Sequence, residues 1–267
     1  MYCQKCNPIF SLSLIVFDLY NSDDCFGLIG QVCKKLKHLD NCHCLHIGQK
    51  SLQFVLSENS ELEVIKMRRI SPILEASLLH LSRMSNLRVL DISYSLMLGD
   101  DLFAKCLQTE HLEELAIAHC KNLADLTVMK LTHNIRKLDL TSTSISDISL
   151  QYISKNCRNL ERLDLQDCSS LSEQNILNCC SSLPKLTKLD ALMIDFKDAK
   201  TVEGLLHNCT NIKRLFVSES ELTNLVARNL MESKNNDNSE RKIDERSNVL
   251  RVLKLEKINS KSREVNE

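Results

Sequence analysis

The chain is short of the residues that punctuate a backbone, with 5 glycines and 3 prolines among 267 residues. Tight turns draw on those two residue types, so a sandwich, a barrel or a glycine-rich nucleotide loop is hard to build from this composition. An excess of charge of either sign is also missing. Lys plus Arg (34) nearly cancels Asp plus Glu (35), leaving a formal charge of −1. No global field then gathers nucleic acid or an anionic membrane, and neither is expected as a partner. The one candidate targeting segment, Ile9 to Phe17 (IFSLSLIVF), follows MYCQKCNP, with a single Lys and no small-residue cleavage site close behind. It is far short of the roughly 20 residues of a membrane span and reads as a buried strand instead.

Cysteine is abundant, but its count is odd, 13 in all. In so long a chain without a convincing signal peptide, that favours a reducing compartment over a disulfide scaffold. A cytoplasmic or nuclear location is expected. With 43% hydrophobic residues, the chain can bury a core, yet it is large for one compact domain without internal symmetry.

The symmetry is a repeat. The pattern L-x-x-L-x-L starts at Leu12, Leu36, Leu62, Leu87, Leu112, Ile135, Leu160, Leu186, Ile212 and Leu250, with copies such as LRVLDI, LEELAI, IRKLDL and LERLDL. The period of about 25 falls within the window of leucine-rich repeats. Each hexad predicts a short strand of a parallel sheet, its fourth and sixth residues turned into the core and its third and fifth turned out. Between hexads the apolar spacing is helical: Phe26, Ile29 and Cys33, Leu150, Ile153 and Cys157, and Val202, Leu205 and Cys209 each form one helix face. Asp23, Asp147 and Asp198 precede these helices as first-turn acids or N-caps. The fold class expected is therefore α/β, a solenoid with strands on its concave side and helices on its convex side.

Cysteines keep the register. Cys44, Cys120 and Cys168 lie eight residues after a start, and Cys33, Cys157 and Cys209 three residues before the next. Stretches such as LERLDLQDCSSLSE and ISDISLQYISKNCRNL resemble the cysteine-containing leucine-rich repeats of F-box/LRR proteins and their ribonuclease-inhibitor-like relatives, over roughly residues 12–258. That resemblance implies a protein-binding module, foremost substrate recognition for an SCF-type cullin ubiquitin ligase. In that class an F-box of about 40 residues precedes the repeats; it is not evident here, because IFSLSLIVFDLYNSDDCFGLIGQVCKKLKHL fits a first repeat better. Two alternatives stand beside this reading. One is an F-box-lacking repeat protein that binds and blocks its partner, like the cysteine-repeat antagonist of mitotic exit; the other is a ribonuclease-inhibitor-like or metal-binding protein. Residues 1–11 are expected to be a lead-in, 12–258 a solenoid of about ten repeats with a polar insertion at 232–248, and 259–267 a flexible tail.

Little in the chain speaks for catalysis or cofactors. H-E-x-x-H, G-x-x-x-x-G-K-[ST], G-x-G-x-x-G and G-x-S-x-G are all missing, and the repeat places most cysteines at buried or turn positions. The nearest thing to a metal site is Cys42, His43, Cys44 and His46 with Cys3 and Cys6, and repeat register accounts for Cys42 and Cys44 without a metal. No enzyme, cofactor or metal is expected. The informative feature is charge on the open face of the sheet. At the third strand position stand Lys137, Arg162, Lys188 and Arg214, and at the fifth Asp139, Asp164 and Asp190. Strands about 4.8 Å apart make these adjacent basic and acidic columns, either neutralising one another or serving as a partner-binding surface.

Overall fold

The computed structural model describes residues 11–13, 22–42, 47–69, 75–107, 110–218 and 253–256. Strand and helix alternate along them: β1 (Ser11–Ser13), α1 (Ser22–Val32), β2 (His38–Asp40), α2 (Gln49–Glu58), β3 (Val64–Lys66), α3 (Glu75–Leu81), β4 (Val89–Asp91), α4 (Asp100–Cys106), β5 (Glu114–Ala116), α5 (Asp125–Val128), β6 (Lys137–Asp139), α6 (Asp147–Asn156), β7 (Arg162–Asp164), α7 (Glu173–Ser181), β8 (Lys188–Ala191), α8 (Ala199–Asn208), β9 (Arg214–Ser218) and β10 (Leu253–Glu256). The ten strands form one sheet in chain order, and every neighbouring pair is parallel. Helices pack on their sequence neighbours in the same order, α1 on α2 through α7 on α8. A strand, a helical return and a parallel strand beside the first, repeated without reversal, make a solenoid in which each unit buries its apolar face against the next.

The core follows the hexads. Leu39, Ile65, Leu90, Leu115, Leu138, Leu163, Leu189 and Leu215 pair residue for residue across the sheet and are buried to 1% exposure or less. The sixth positions, Met67, Ile92, Ile117, Leu140, Leu165, Ala191 and Val217, are buried equally. Asn41 holds that position in the second repeat; it is fully buried, and its amide finds no hydrogen bond among the described residues. The last repeat keeps the register expected from Leu250, since Leu253 pairs with Leu215.

The first repeat does not start at Leu12. Ser11 pairs with His38 and Leu12 with Leu39, so Leu12 fills the fourth position and the hexad begins at Ile9. Both I-F-S-L-S-L from Ile9 and L-S-L-I-V-F from Leu12 satisfy the apolar pattern, and pairing with β2 selects the earlier one. Ile15 and Phe17, expected on this strand, lie outside the described residues, as do the insertion at 232–248 and the tail at 259–267.

The three helix faces are in place: Phe26, Cys33, Leu150, Ile153, Cys157, Val202, Leu205 and Cys209 are buried, and Ile29 packs against them half-exposed. Asp198 caps α8 by accepting from Lys200 N at 2.9 Å. Asp147 does something the sequence did not suggest. Ser146, not Asp147, caps its helix, while the Asp147 carboxylate reaches one repeat ahead to accept from Ser172 N (2.9 Å) and Asn175 Nδ2 (3.0 Å). The same reach recurs along the convex side. Asp100 accepts from Leu126 N, Thr127 N and Thr127 Oγ1, Asp125 from Ser146 N, Ser146 Oγ and Ser149 Oγ, and Glu173 from Lys197 N and Asp198 N. Four successive first-turn acids thus bind the N-terminal end of the next helix, at its first residues or its cap.

Turn cysteines act as buried donors. Cys120 Sγ donates to Ile92 O (3.4 Å) and Cys168 Sγ to Leu140 O (3.1 Å), each reaching the preceding repeat. Cys44, the third of that set, lies outside the described residues.

Candidate functional site

The open face of the sheet is built from third and fifth strand positions. Lys137, Arg162, Lys188 and Arg214 occupy adjacent register across β6 to β9, as do Asp139, Asp164 and Asp190 across β6 to β8. The seven residues therefore form the two columns expected from the hexads. Their environments are unequal, however. Asp164 is buried, 4% exposed, and holds Arg162 Nη2 at 2.6 Å and Lys188 Nζ at 3.0 Å. Lys188 also approaches Asp190 at 3.8 Å and lies over the Phe216 ring, 5.0 Å from its centroid. Partial burial pulls the Arg162 guanidinium down, and the hydrogen bond it donates to Asp164 with the charges of Asp164, Asp139 and Asp190 more than reverses this, leaving it above its ordinary value. Lys137 binds Glu114 at 2.6 Å. Arg214 is exposed and makes no ion pair among the described residues.

The aspartates also have a backbone role. Asp40, Asp91, Asp139 and Asp190 each accept from the N–H two residues on, at Cys42, Ser93, Thr141 and Leu192. This is the Asx turn that lets the chain leave a strand without glycine. Immediately after it, six successive repeats place a residue at positive φ: Arg69, Tyr94, His119, Ser142, Asp167 and Met193, with φ from 52° to 68°. Each of the first five donates its N–H to a carbonyl of the next repeat, at Ser93, Ala118, Thr141, Gln166 and Leu192. The side chains consequently stack along one rim. Arg69 lies over Tyr94, 4.8 Å from the ring centroid, and Tyr94 stacks on His119 with centroids 4.4 Å apart and planes at 18°.

Toward the N-terminal half the open face loses its basic column. Val64 and Val89 take the third position, and in the repeat of β5 Ala116 leaves the fifth nearly empty, while Ala118 at the seventh is buried. A concavity of about 480 Å³ opens over this stretch, bordered by Arg68, Asp91, Glu114, Lys137, Asp139 and Arg162. Arg68 binds Asp91 at 2.6 Å. Sequence reasoning missed Arg68, Arg69, Tyr94 and His119 because they follow the hexads, in turns whose geometry the apolar pattern does not encode. Their shared offset from the repeat starts was the available signal.

The opposite rim, where strands begin, is self-satisfied. Lys37–Glu63, Arg88–Glu113 and Arg136–Glu161 pair across neighbouring repeats at 2.6–2.7 Å. Asn134, Asn159 and Asn211 donate side-chain amides to carbonyls of the repeat before.

Thiols are held protonated. Burial pushes Cys120 and Cys168 up to about 11 and Cys157 and Cys179 up to about 12. Cys42, half-buried beside the concavity, is likewise pushed up to about 11, first by burial. A protonated thiol is a poor nucleophile and a poor metal ligand. Among the described residues no three His, Cys, Asp or Glu side chains converge as a metal site. His43, Cys44 and His46, with Cys3 and Cys6, lie outside those residues. Among the described residues, no helix is long and apolar enough to cross a membrane.

No family model matches the chain. Among solved structures, one from the crystal structure of the Rad7 and Elc1 complex in yeast is similar, with a TM-score of 0.58 and 18% sequence identity, covering 69% of this chain and 50% of that one. The chain thus spans about half the length of that neighbour. The likeness concerns the fold, and with the single parallel sheet in chain order it identifies the architecture as a leucine-rich-repeat solenoid.

Proposed function

We propose that this chain is a protein-recognition solenoid that binds a target polypeptide on the strand face, and that it serves as the substrate-recognition part of an SCF-type cullin ubiquitin ligase. The observation that carries the first statement is the continuous strand face itself. It is left without a covering layer among the described residues, and it displays charged and small side chains over a rigid apolar core. Such a surface can vary its recognition residues while the core stays fixed. The second statement rests on the cysteine-containing repeat and on the fold shared with a chain solved in a complex of Rad7 with Elc1. In this reading the chain contributes binding and the catalytic step belongs to another subunit; protonated, buried thiols agree with it.

Reversing Arg162 and Lys188 is a poor test of the binding face, because both hold the buried Asp164 carboxylate and their loss would leave an uncompensated charge. A steric test avoids this. Tryptophans at Val64 and Gln166, V64W/Q166W, block the strand face, whereas Q151W/K155W adds the same bulk to the exposed side of α6. Affinity capture with the full-length protein should lose its targets in the first variant and keep them in the second, with both melting near the parent. Equal loss or equal retention would sink the strand-face assignment. Co-capture of cullin and adaptor subunits by the full-length parent tests the ligase role; targets captured without them would favour a blocking protein.

A further inference from the structure

The proposal rests on the strand face as the binding face and names what part of a partner enters it. We infer that the notch over Ala116 receives an arginine side chain of the bound polypeptide, with Asp139 as its counter-charge and the Tyr94–His119 stack on the rim beside it.

Three features converge there. The first is space: at the fifth position the flanking repeats carry Asp91 and Asp139, whereas the repeat between them carries only Ala116, which lines the concavity with Leu90, Leu115 and Leu138. A side chain can descend there to the sheet. The second is a carboxylate without a contact ion pair, acting on Arg68 and Arg162 only from a distance. The carboxylates bordering the concavity are paired at Asp40 with Lys66 (3.9 Å), Asp91 with Arg68 (2.6 Å), Glu114 with Lys137 (2.6 Å) and Asp164 with Arg162 (2.6 Å). Asp139 is the exception among the described residues, since its one hydrogen bond is to Thr141 N through Oδ1. The third is an aromatic surface, with Tyr94 and His119 rising at the rim of the same two repeats. Arg69 already lies over Tyr94, so a guanidinium fits against the rings of this rim.

Arginine fits better than lysine because its planar, five-donor head can pair with a carboxylate while lying flat on a ring. An acidic or phosphorylated segment fits worse. The cations around the notch, Arg68, Lys137 and Arg162, are each engaged, and an incoming anion would face the unpaired Asp139 carboxylate.

The test uses the intact chain and three blocked tripeptides, acetyl-Gly-Arg-Gly-amide, its citrulline analogue and its glutamate analogue, followed by NMR of the Ala116 and Ala118 methyls and the His119 ring. The arginine peptide should shift these signals saturably at millimolar concentration, and the other two should not. Asp139→Asn should weaken the arginine peptide at least tenfold and Ala116→Leu should abolish its effect, with dispersed spectra and parental melting showing that both are folded. Asp195→Asn, an exposed acid elsewhere, should change nothing. Equal shifts from the citrulline or glutamate peptide, indifference to Asp139→Asn, or no shift from arginine would each overturn the assignment. Target capture that survives Asp139→Asn and Ala116→Leu but fails in V64W/Q166W would sink the notch and leave the binding face standing. Capture that survives all of these would sink both.

Discussion

At the scale of single residues, the solenoid pays for its lack of glycine in backbone conformation. Arg69, Tyr94, His119, Ser142, Asp167 and Met193 all sit in the left-handed region with a Cβ, a conformation that costs roughly 1–2 kcal/mol per residue relative to the right-handed one. Glycine would relieve that strain while losing about 0.5–1 kcal/mol to extra freedom in the unfolded chain. Met193 is the place to measure the difference, because it is 39% exposed, its side chain meets only a 3.7 Å approach from Gln166 Nε2 to the sulfur among the described residues, and its hydrogen bond to Ser218 Oγ comes from the backbone N–H that glycine keeps. Met193→Gly should leave stability unchanged or raise it by up to about 1 kcal/mol, whereas Met193→Val, branched at Cβ, should lower it by more than about 1 kcal/mol. Urea midpoints decide. If glycine costs as much as valine, the side chain and not the backbone is what the position requires. None of these six residues was legible as left-handed, because the usual marker of that conformation is glycine. The consequence is the stacked rim: positive φ goes with Tyr94 and His119 stacking along it instead of entering the core.

At the scale of elements, strands were readable and helix caps only in part: Asp198 was legible as the cap of α8, Ser146 and Ser172 were not. Hexads fix strand register because a shift by one residue would turn every core leucine outward, and only the first strand offered two registers that both kept its apolar residues inside. Acids ahead of the helices could be seen, but the sequence cannot show that Asp100, Asp125, Asp147 and Glu173 each serve the following helix, since that depends on the lateral offset between repeats. Asp125 accepts from one N–H and two hydroxyls at the start of α6, from Ser146 and Ser149. Partial burial pushes its carboxyl up, and the hydrogen bonds from Ser146 and Ser149 more than reverse that, so it titrates below the usual carboxylate range. Asp125→Ala should therefore cost about 2–3 kcal/mol, more than an ordinary exposed cap. The ionised form is the one favoured by folding. Its contribution is complete above the unfolded carboxyl range near pH 4 and is lost as pH falls through the lower, folded value. The stability difference between parent and Asp125→Ala should be constant from pH 5 to 7 and shrink below about pH 4. A difference that grew with acid, or that persisted undiminished at pH 2, would show that the carboxylate is not the source.

At the scale of the whole molecule, the links between repeats join nearest neighbours: the sheet pairs in chain order, helix packs on following helix, turn thiols reach back one repeat and first-turn acids reach forward one. Stability should then be close to a sum over repeats and their interfaces. The period of about 25 residues made this organisation legible before any coordinates, whereas the pairing inside the charge columns was not. Exposure of Asp164 follows from what Arg162 and Lys188 do with their long side chains, and alternation along a strand is silent about that. Deletion of residues 160–185 tests the additive picture. It joins Asn159 to Leu186, removes β7 and α7 together, and brings β6 beside β8 in the same register. Lys188, deprived of Asp164, meets Asp139 as a replacement partner, and Asp147 takes over from Glu173 beneath the start of α8. The shortened chain should keep the circular dichroism of mixed helix and strand and melt cooperatively at a lower temperature. Deletion of residues 160–172 removes β7 but leaves α7, puts the remaining strands out of step with their helices, and should leave no cooperative transition. If both deletions melt alike, the repeat is not the unit of folding; if the whole-repeat deletion is unfolded, stability is not additive over neighbours.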